Sequence, residues 1–229
     1  MAILLLTRPS AASIRTKAEV ERLCPGVCVI VSPVMEIVPV PFALDAVPGE
    51  VILTSENGAA AAVALGLPEG MRAWCVGSRT AEVAQAAGFD AVSAQRDAEA
   101  LIALILSAPD GGLLLHLRGE HARGDIAPRL RAAGREAREA VVYRQEERAL
   151  SGEALAALEG AERVVLPLYS PRSAAILAKQ GPFSAPLQVI AISRAAARAA
   201  EGLGRPHISL IDNPDGQYML SAIVDSLSD

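Results

Sequence analysis

An internal duplication whose parts are once out of order constrains this chain more than any other feature. Val51-Ile-Leu-Thr-Ser55-Glu-Asn-Gly-Ala-Ala60 matches Leu166-Pro-Leu-Tyr-Ser170-Pro-Arg-Ser-Ala-Ala175. Cys75-Val-Gly77-Ser-Arg-Thr-Ala81 matches Ala191-Ile-Ser193-Arg-Ala-Ala-Ala197, and Asp97-Ala-Glu-Ala-Leu101 matches Asp215-Gly-Gln-Tyr-Met219. Repeats in one order redefine the number of folding units. One block breaks that order: Leu117-Arg118-Gly119 has its counterpart in Thr7-Arg8-Pro9 at the N-terminus. The second copy is therefore completed by the start of the chain, and the first is inserted in it. This predicts a discontinuous lobe of residues 1–33 and 148–229 and an inserted lobe of residues 50–140. Crossings at 34–49 and 141–147 would join them. The prolines of Val34-Met-Glu-Ile-Val-Pro-Val-Pro41 favour an extended path, so the two crossings, running in opposite directions, could pair as a short ribbon. Function is expected in the cleft between the lobes.

Each copy reads as βα units. Short apolar runs recur at Ile3–Leu6, Val27–Val31, Val51–Leu53, Ala73–Val76, Leu113–Leu117, Val164–Leu168 and Leu187–Ile192. Ala-rich helical stretches separate them, such as the one from Thr80 that Gly88 closes. Aromatics make up only 3% of the 229 residues while hydrophobic residues reach 52%. The cores must then be Ala, Val, Ile and Leu, which suits helices on both faces of parallel strands. The fold class is α/β.

The formal charge of -5 argues against nucleic acid as a partner, because such binding needs a surplus of Lys and Arg to neutralise phosphates. No apolar stretch approaches the roughly 20 residues that span a bilayer. The start, Met1-Ala2-Ile3-Leu4-Leu5-Leu6, lacks the basic residues of a signal peptide, so a cytoplasmic protein with no membrane contact is expected. Cys24 and Cys28 resemble half a zinc site but have no second pair, and Cys75 stands apart. No metal is expected.

Ligands of parallel α/β sheets bind beyond the carboxyl ends of the strands, where helix N-termini present free N–H groups. Those turns carry Arg8, Arg79, Arg118, Arg172 and Arg194, with Thr7, Ser55, Asn57, Ser78, Thr80, Ser170, Ser173 and Ser193 beside them. Taken singly, the hydroxyl and amide side chains are ordinary caps and the arginines solvated charges. Taken together, arginines at equivalent turns of both copies suggest a ligand with several carboxylates or phosphates. The glycine pattern of dinucleotide sites and the Walker lysine are both missing, and so are the usual serine-hydrolase and zinc-protease signatures. Tyr143 stands out as an aromatic on a crossing, where its plain role would be to pack a hinge.

Set in order, Leu6-Thr-Arg-Pro9, Leu53-Thr-Ser-Glu-Asn-Gly58, Val76-Gly-Ser-Arg-Thr-Ala81, Leu117-Arg-Gly119, Val142-Tyr143, Tyr169-Ser-Pro171 and Ile192-Ser193 resemble the uroporphyrinogen-III synthases over nearly the whole chain. The resemblance implies two flavodoxin-like or Rossmann-like lobes joined by a two-stranded β-ladder, one lobe discontinuous. It implies an enzyme that needs no cofactor and acts on hydroxymethylbilane, a linear tetrapyrrole bearing eight carboxylates. The terminal hydroxyl leaves as water and the ring closes with inversion of the last pyrrole, by way of a spirocyclic intermediate in the favoured proposal. The linear substrate also closes without inversion unaided, so the enzyme must chiefly orient it. Tyr143 matches the family tyrosine near the leaving hydroxyl, Thr80 matches its threonine, and Gly77 and Gly119 join the binding turns. Where the family often has Gly and Thr, this chain has Ser193, Ala195 and Ala196, a departure from the family's hydroxyl contacts at a turn still expected to bind substrate through Ser193 and Arg194. A monomer is expected, with only transient contact with the enzyme that supplies the substrate.

Two other readings stay open on the residues alone. One is a non-catalytic two-lobed receptor for a small polyanion; the other is a nucleotide-dependent transferase with an unfamiliar phosphate loop. A receptor exposed to hydroxymethylbilane would leave only the non-inverted product.

Overall fold

The computed structural model describes residues 2–122, 124–213 and 215–228. In chain order its elements begin with β1 (Ile3–Leu6), α1 (Ser10–Leu23), β2 (Cys28–Val31) and β3 (Met35–Pro39). They continue with β4 (Glu50–Leu53), α2 (Glu56–Ala64), β5 (Arg72–Cys75), α3 (Ser78–Ala86), β6 (Asp90–Ser93), α4 (Ala98–Ser107), β7 (Leu114–Gly119), α5 (Ile126–Ala132) and β8 (Ala137–Glu147). The last are α6 (Gly152–Glu159), β9 (Val164–Leu168), α7 (Pro171–Ala178), β10 (Leu187–Ala191), α8 (Arg194–Ala200), β11 (His207–Leu210) and α9 (Gly216–Ser228). The chain divides into two compact units, one of Met1–Glu36 with Glu146–Asp229, the other of Ile37–Gln145.

The first unit is built on a five-stranded sheet in the order β11-β10-β9-β1-β2, with every neighbouring pair parallel. β1, from the start of the chain, lies between β2 and β9, and Ile3 stands opposite both Cys28 and Val164. All five residues of β9 are buried, as a central parallel strand covered on both faces must be. One face packs Leu5, Leu158, Leu166 and Leu177, the other Leu4, Leu6, Val165, Met219 and Ile223.

The second unit holds a six-stranded sheet in the order β3-β8-β7-β4-β5-β6, in which β4 to β8 run parallel. Leu53, Leu117, Ala59 and Ala62 fill one side of it, and Ile52, Trp74, Leu101, Ile105 and Leu130 the other. α2 lies hard against β7: a Cβ on Gly58 would meet the Leu117 carbonyl oxygen at 2.7 Å, so only glycine allows the approach. Among the described residues no helix is long and apolar enough to cross a membrane, and no group of three His, Cys, Asp or Glu is placed to hold a metal ion. Cys75 is buried and its thiol is pushed up to about 11 by that burial, whereas Cys28 is exposed.

Candidate functional site

In the second unit the carboxyl ends of β4 and β7 meet the middle of β8. Ser55 leaves β4 in extended conformation and caps α2, its Oγ accepting a hydrogen bond of 3.1 Å from the Gly58 N–H. Ser170, its counterpart in the repeat, does the same, its Oγ accepting from Ser173 N–H at 3.0 Å, and so does Ser193, the counterpart of Gly77, its Oγ accepting from Ala196 N–H at 3.2 Å. What sets Ser55 apart is a further bond, 2.9 Å, between its Oγ and the Tyr143 hydroxyl.

A register shift puts Tyr143 there. Along β7 and β8 the partners run Leu117 with Ala140 and Arg118 with Val141, then Gly119 with Tyr143, so that β8 gains one residue at the end of the pairing. Such a bulge turns the following side chain. Val142 goes into the core and the Tyr143 ring lies directly on Gly119, where a Cβ would meet ring and hydroxyl atoms at 2.6 to 2.9 Å. Gly119 is thus required by the tyrosine. Both line a recess of about 280 Å³ with Thr54, Ser55, Val76 and His121. Tyr143 also borders a more apolar hollow of about 430 Å³, with Asn57, Phe42, Val40 and Leu65 around it. Gly77 caps α3 with no side-chain bond, and Thr80 is buried in the first turn of α3, away from the lining of either recess.

The arginines divide into different situations. Arg118 is engaged within the protein: Nη2 reaches Glu139 Oε1 at 2.7 Å, and Nη1 donates to the Gly119 and Glu120 carbonyls at 2.9 and 3.2 Å. That hydrogen bond, more than the charge itself, holds the Glu139 carboxyl below its usual range. Arg118 therefore braces the bulge that aims Tyr143. Arg79 pairs with Glu82 at 3.1 Å. In the first unit Arg8 stacks 4.1 Å above the Tyr169 ring, and its carbonyl accepts from Ser13 Oγ at 2.8 Å. Burial raises the Tyr169 phenol above its ordinary value, against the opposing pull of Arg8. Thr7 is buried at the end of β1, Ser170 and Ser173 bond each other at 2.9 Å, Arg172 is half-buried, and Arg194 is exposed at the start of α8.

Two residues were not among those singled out from the sequence. Thr54 lines the recess beside Ser55, and its Oγ1 lies 3.4 Å from Nε2 of His116, which is 1% exposed. Burial lowers the His116 imidazole to about 4, while Glu139 pulls it up and Arg118 pushes it down. A lone histidine inside an apolar run gives no sign of this, because the partner is set by the pairing of β4 with β7.

The structure resembles that of uroporphyrinogen-III synthetase from Helicobacter pylori 26695, with a TM-score of 0.68 and 18% identity over 99% of this chain and 98% of that one. It also resembles a mutant uroporphyrinogen III synthase from the extremely thermophilic bacterium Thermus thermophilus, with a TM-score of 0.53 and 17% identity over 100% and 99%. At such identities the likeness speaks for the fold. No curated protein matches the sequence significantly. The sequence model of the family described as uroporphyrinogen-III synthase HemD, however, matches residues 17–221. That span takes in the second compact unit with its Tyr143 bulge and most of the first, from within α1 to within α9, and the chain belongs to the uroporphyrinogen-III synthase family.

Proposed function

We propose that this chain cyclises hydroxymethylbilane to uroporphyrinogen III, and that the Ser55–Tyr143 pair assists departure of the terminal hydroxyl. Family membership over residues 17–221 makes it a cyclising lyase of tetrapyrrole biosynthesis, and it disfavours the reading as a receptor. The observation that supports a role for Tyr143 is the ordered chain of donors behind it. The Gly58 N–H, at the positive end of α2, donates to Ser55 Oγ, which stands 2.9 Å from the phenol oxygen. With Ser55 donating to that oxygen, the phenol proton is free to point into the recess. Donors in series polarise one another, and the helix terminus adds partial positive charge behind them. The leaving oxygen would accept this proton as the pyrrole nitrogen releases electrons into the breaking C–O bond, and water departs.

The rest of the task is orientation. Ring closure at the substituted carbon must outrun spontaneous closure at the open one, and holding reactive ends in an attack geometry is worth several kcal/mol of barrier. The apolar hollow by Asn57 suits a pyrrole face, while the turns carrying Thr7, Arg8, Gly77, Thr80, Gly119, Ser170, Arg172, Ser173, Ser193 and Arg194 suit the carboxylates. Arg118 contributes through the shape of the bulge. We assign the two compact units to the lobes of the synthase fold, and the parts of β3 and β8 that pass from one to the other to its ladder. Incubation with hydroxymethylbilane followed by chromatographic separation of the cyclised isomers tests the function. The inverted isomer is expected as the main product. Only the non-inverted isomer, at the rate seen without protein, would refute it.

A further inference from the structure

Thr54 is a hydroxyl of the recess wall that the Tyr143 relay does not use. Its Oγ1 faces Nε2 of His116 at 3.4 Å, and Nδ1 of that ring is buried with no hydrogen-bond partner. A neutral imidazole carries one N–H, on one nitrogen or the other. On Nδ1 it would be a buried donor without an acceptor, an arrangement folded proteins almost never keep. On Nε2 it meets Thr54. The groups that face the ring are Arg118 on its own strand and Glu139 on β8, with Glu120 and Asp125 along the same polar recess. Arg118 and Glu139 are bonded to each other and oppose one another in their effect on the ring.

We propose that His116 is a positioning residue: held as the Nε2–H tautomer, it donates to Thr54 Oγ1 and so turns the Thr54 hydroxyl proton into the recess. Thr54 then serves as a hydrogen-bond donor to an oxygen of the substrate, beside Tyr143. A threonine hydroxyl has one proton to give, and an acceptor in its wall would leave it free to rotate away. His116 removes that freedom by occupying a lone pair of the oxygen. The inference rests on the cyclase reading for the identity of the substrate, but the tautomer stands apart from it.

The test uses the full chain. Long-range ¹H–¹⁵N spectra of the histidine rings should show His116 protonated at Nε2 and unchanged between pH 6 and 8; a ring protonated at Nδ1 overturns the proposal whatever the enzyme does. In the assay with hydroxymethylbilane, Thr54→Val and His116→Leu should each lower kcat about tenfold, the scale of one hydrogen bond. KM should move little. His116→Gln, which keeps an N–H near the Nε2 position, should recover most of the loss. The double variant should be no slower than Thr54→Val alone, as for two groups acting as one. A Thr54→Val enzyme at the wild-type rate, or a His116→Gln enzyme as slow as His116→Leu, overturns the proposal. Should His116→Leu fail to fold, the spectra and Thr54→Val decide. A wild-type protein that yields only the non-inverted isomer instead sinks the cyclase reading, and leaves the tautomer to be judged on the spectra.

Discussion

Tyr143 owes its place to three neighbours: Gly119 beneath the ring, Ser55 at the hydroxyl, and the extra residue in β8 that turns it. Tyr143→Phe keeps the ring and removes only the oxygen. Acid assistance is commonly worth roughly 10²–10⁴-fold. The pyrrole nitrogen already helps hydroxide leave, so turnover should fall by about 10²-fold, with the melting midpoint and the preference for the inverted isomer nearly unchanged. A wild-type rate would return Tyr143 to a packing role. Gly119→Ala tests the support instead. Its Cβ has no room unless the ring moves, so we expect a loss of about 1–3 kcal/mol in denaturant unfolding together with slower turnover. Unaltered stability would mean that the ring yields freely. The contrast shows what could be read from the residues beforehand. Tyr143 and Gly119 were both legible as site candidates through motif resemblance, but that one lies on the other was not, because a register shift leaves no mark in composition or periodicity. Arg118 read as an anion grip for the same reason: its partner Glu139 lies 21 residues on and faces it only through strand pairing.

The capped turns that follow β4 and β9 are repeats in structure as in sequence, and the turn after β10, the repeat of the Gly77 turn, is capped in the same way. Ser55, Ser170 and Ser193 share an extended backbone, and each accepts from the N–H three residues on. This allows capping to be separated from chemistry. Ser55→Ala and Ser151→Ala, the latter at the cap of α6 outside the substrate-binding turns, where Ser151 Oγ accepts from the Ala154 N–H at 3.2 Å, should each lose about 0.5–2 kcal/mol of stability, the ordinary cost of such a cap. Only Ser55→Ala should also slow turnover at saturating substrate, because only Ser55 bonds the Tyr143 hydroxyl. Equal turnover in the two variants would contradict the relay. Central strands were the legible part of the fold: β4 and β9 are buried at every residue, and Val51–Leu53 and Val164–Leu168 read as unbroken apolar runs. β6 and β11 were not legible in this way. Both lie at sheet edges, where Asp90-Ala-Val-Ser93 and His207-Ile-Ser-Leu210 keep polar residues toward solvent and lose the apolar signature of a strand covered on both faces.

Because β1 sits between β2 and β9, the first unit cannot close without the beginning of the chain, whereas β4 to β8 and their helices are contiguous. Removing residues 1–31 should therefore unfold the first unit while the segment 37–145, expressed alone, gives dispersed amide signals; a random-coil spectrum from that segment would count against its independence. That second unit also carries the acid-sensitive group. His116 has a folded value of about 4 against an ordinary 6.5, so between those values the unfolded chain binds a proton that the folded one refuses. Stability then rises with pH across this window, and it is lost as pH falls from 6.5 toward 4. The slope is about 1.4 kcal/mol per pH unit, on the order of 3 kcal/mol in all. Glu139 acts lower down: its depressed carboxyl contributes stability above its unfolded value, which is lost as pH falls through the folded one. Denaturant unfolding measured at intervals from pH 7 to 4.5 should show the His116 slope in the wild-type chain and a flatter profile in His116→Gln, whatever the absolute stability of that variant. The carboxylates are common to both proteins, so the difference between the two profiles reports the imidazole together with its coupling to Glu139. Parallel profiles over that range would mean that the ring takes up its proton in the folded state as readily as in the unfolded chain, and that its burial does not hold it neutral.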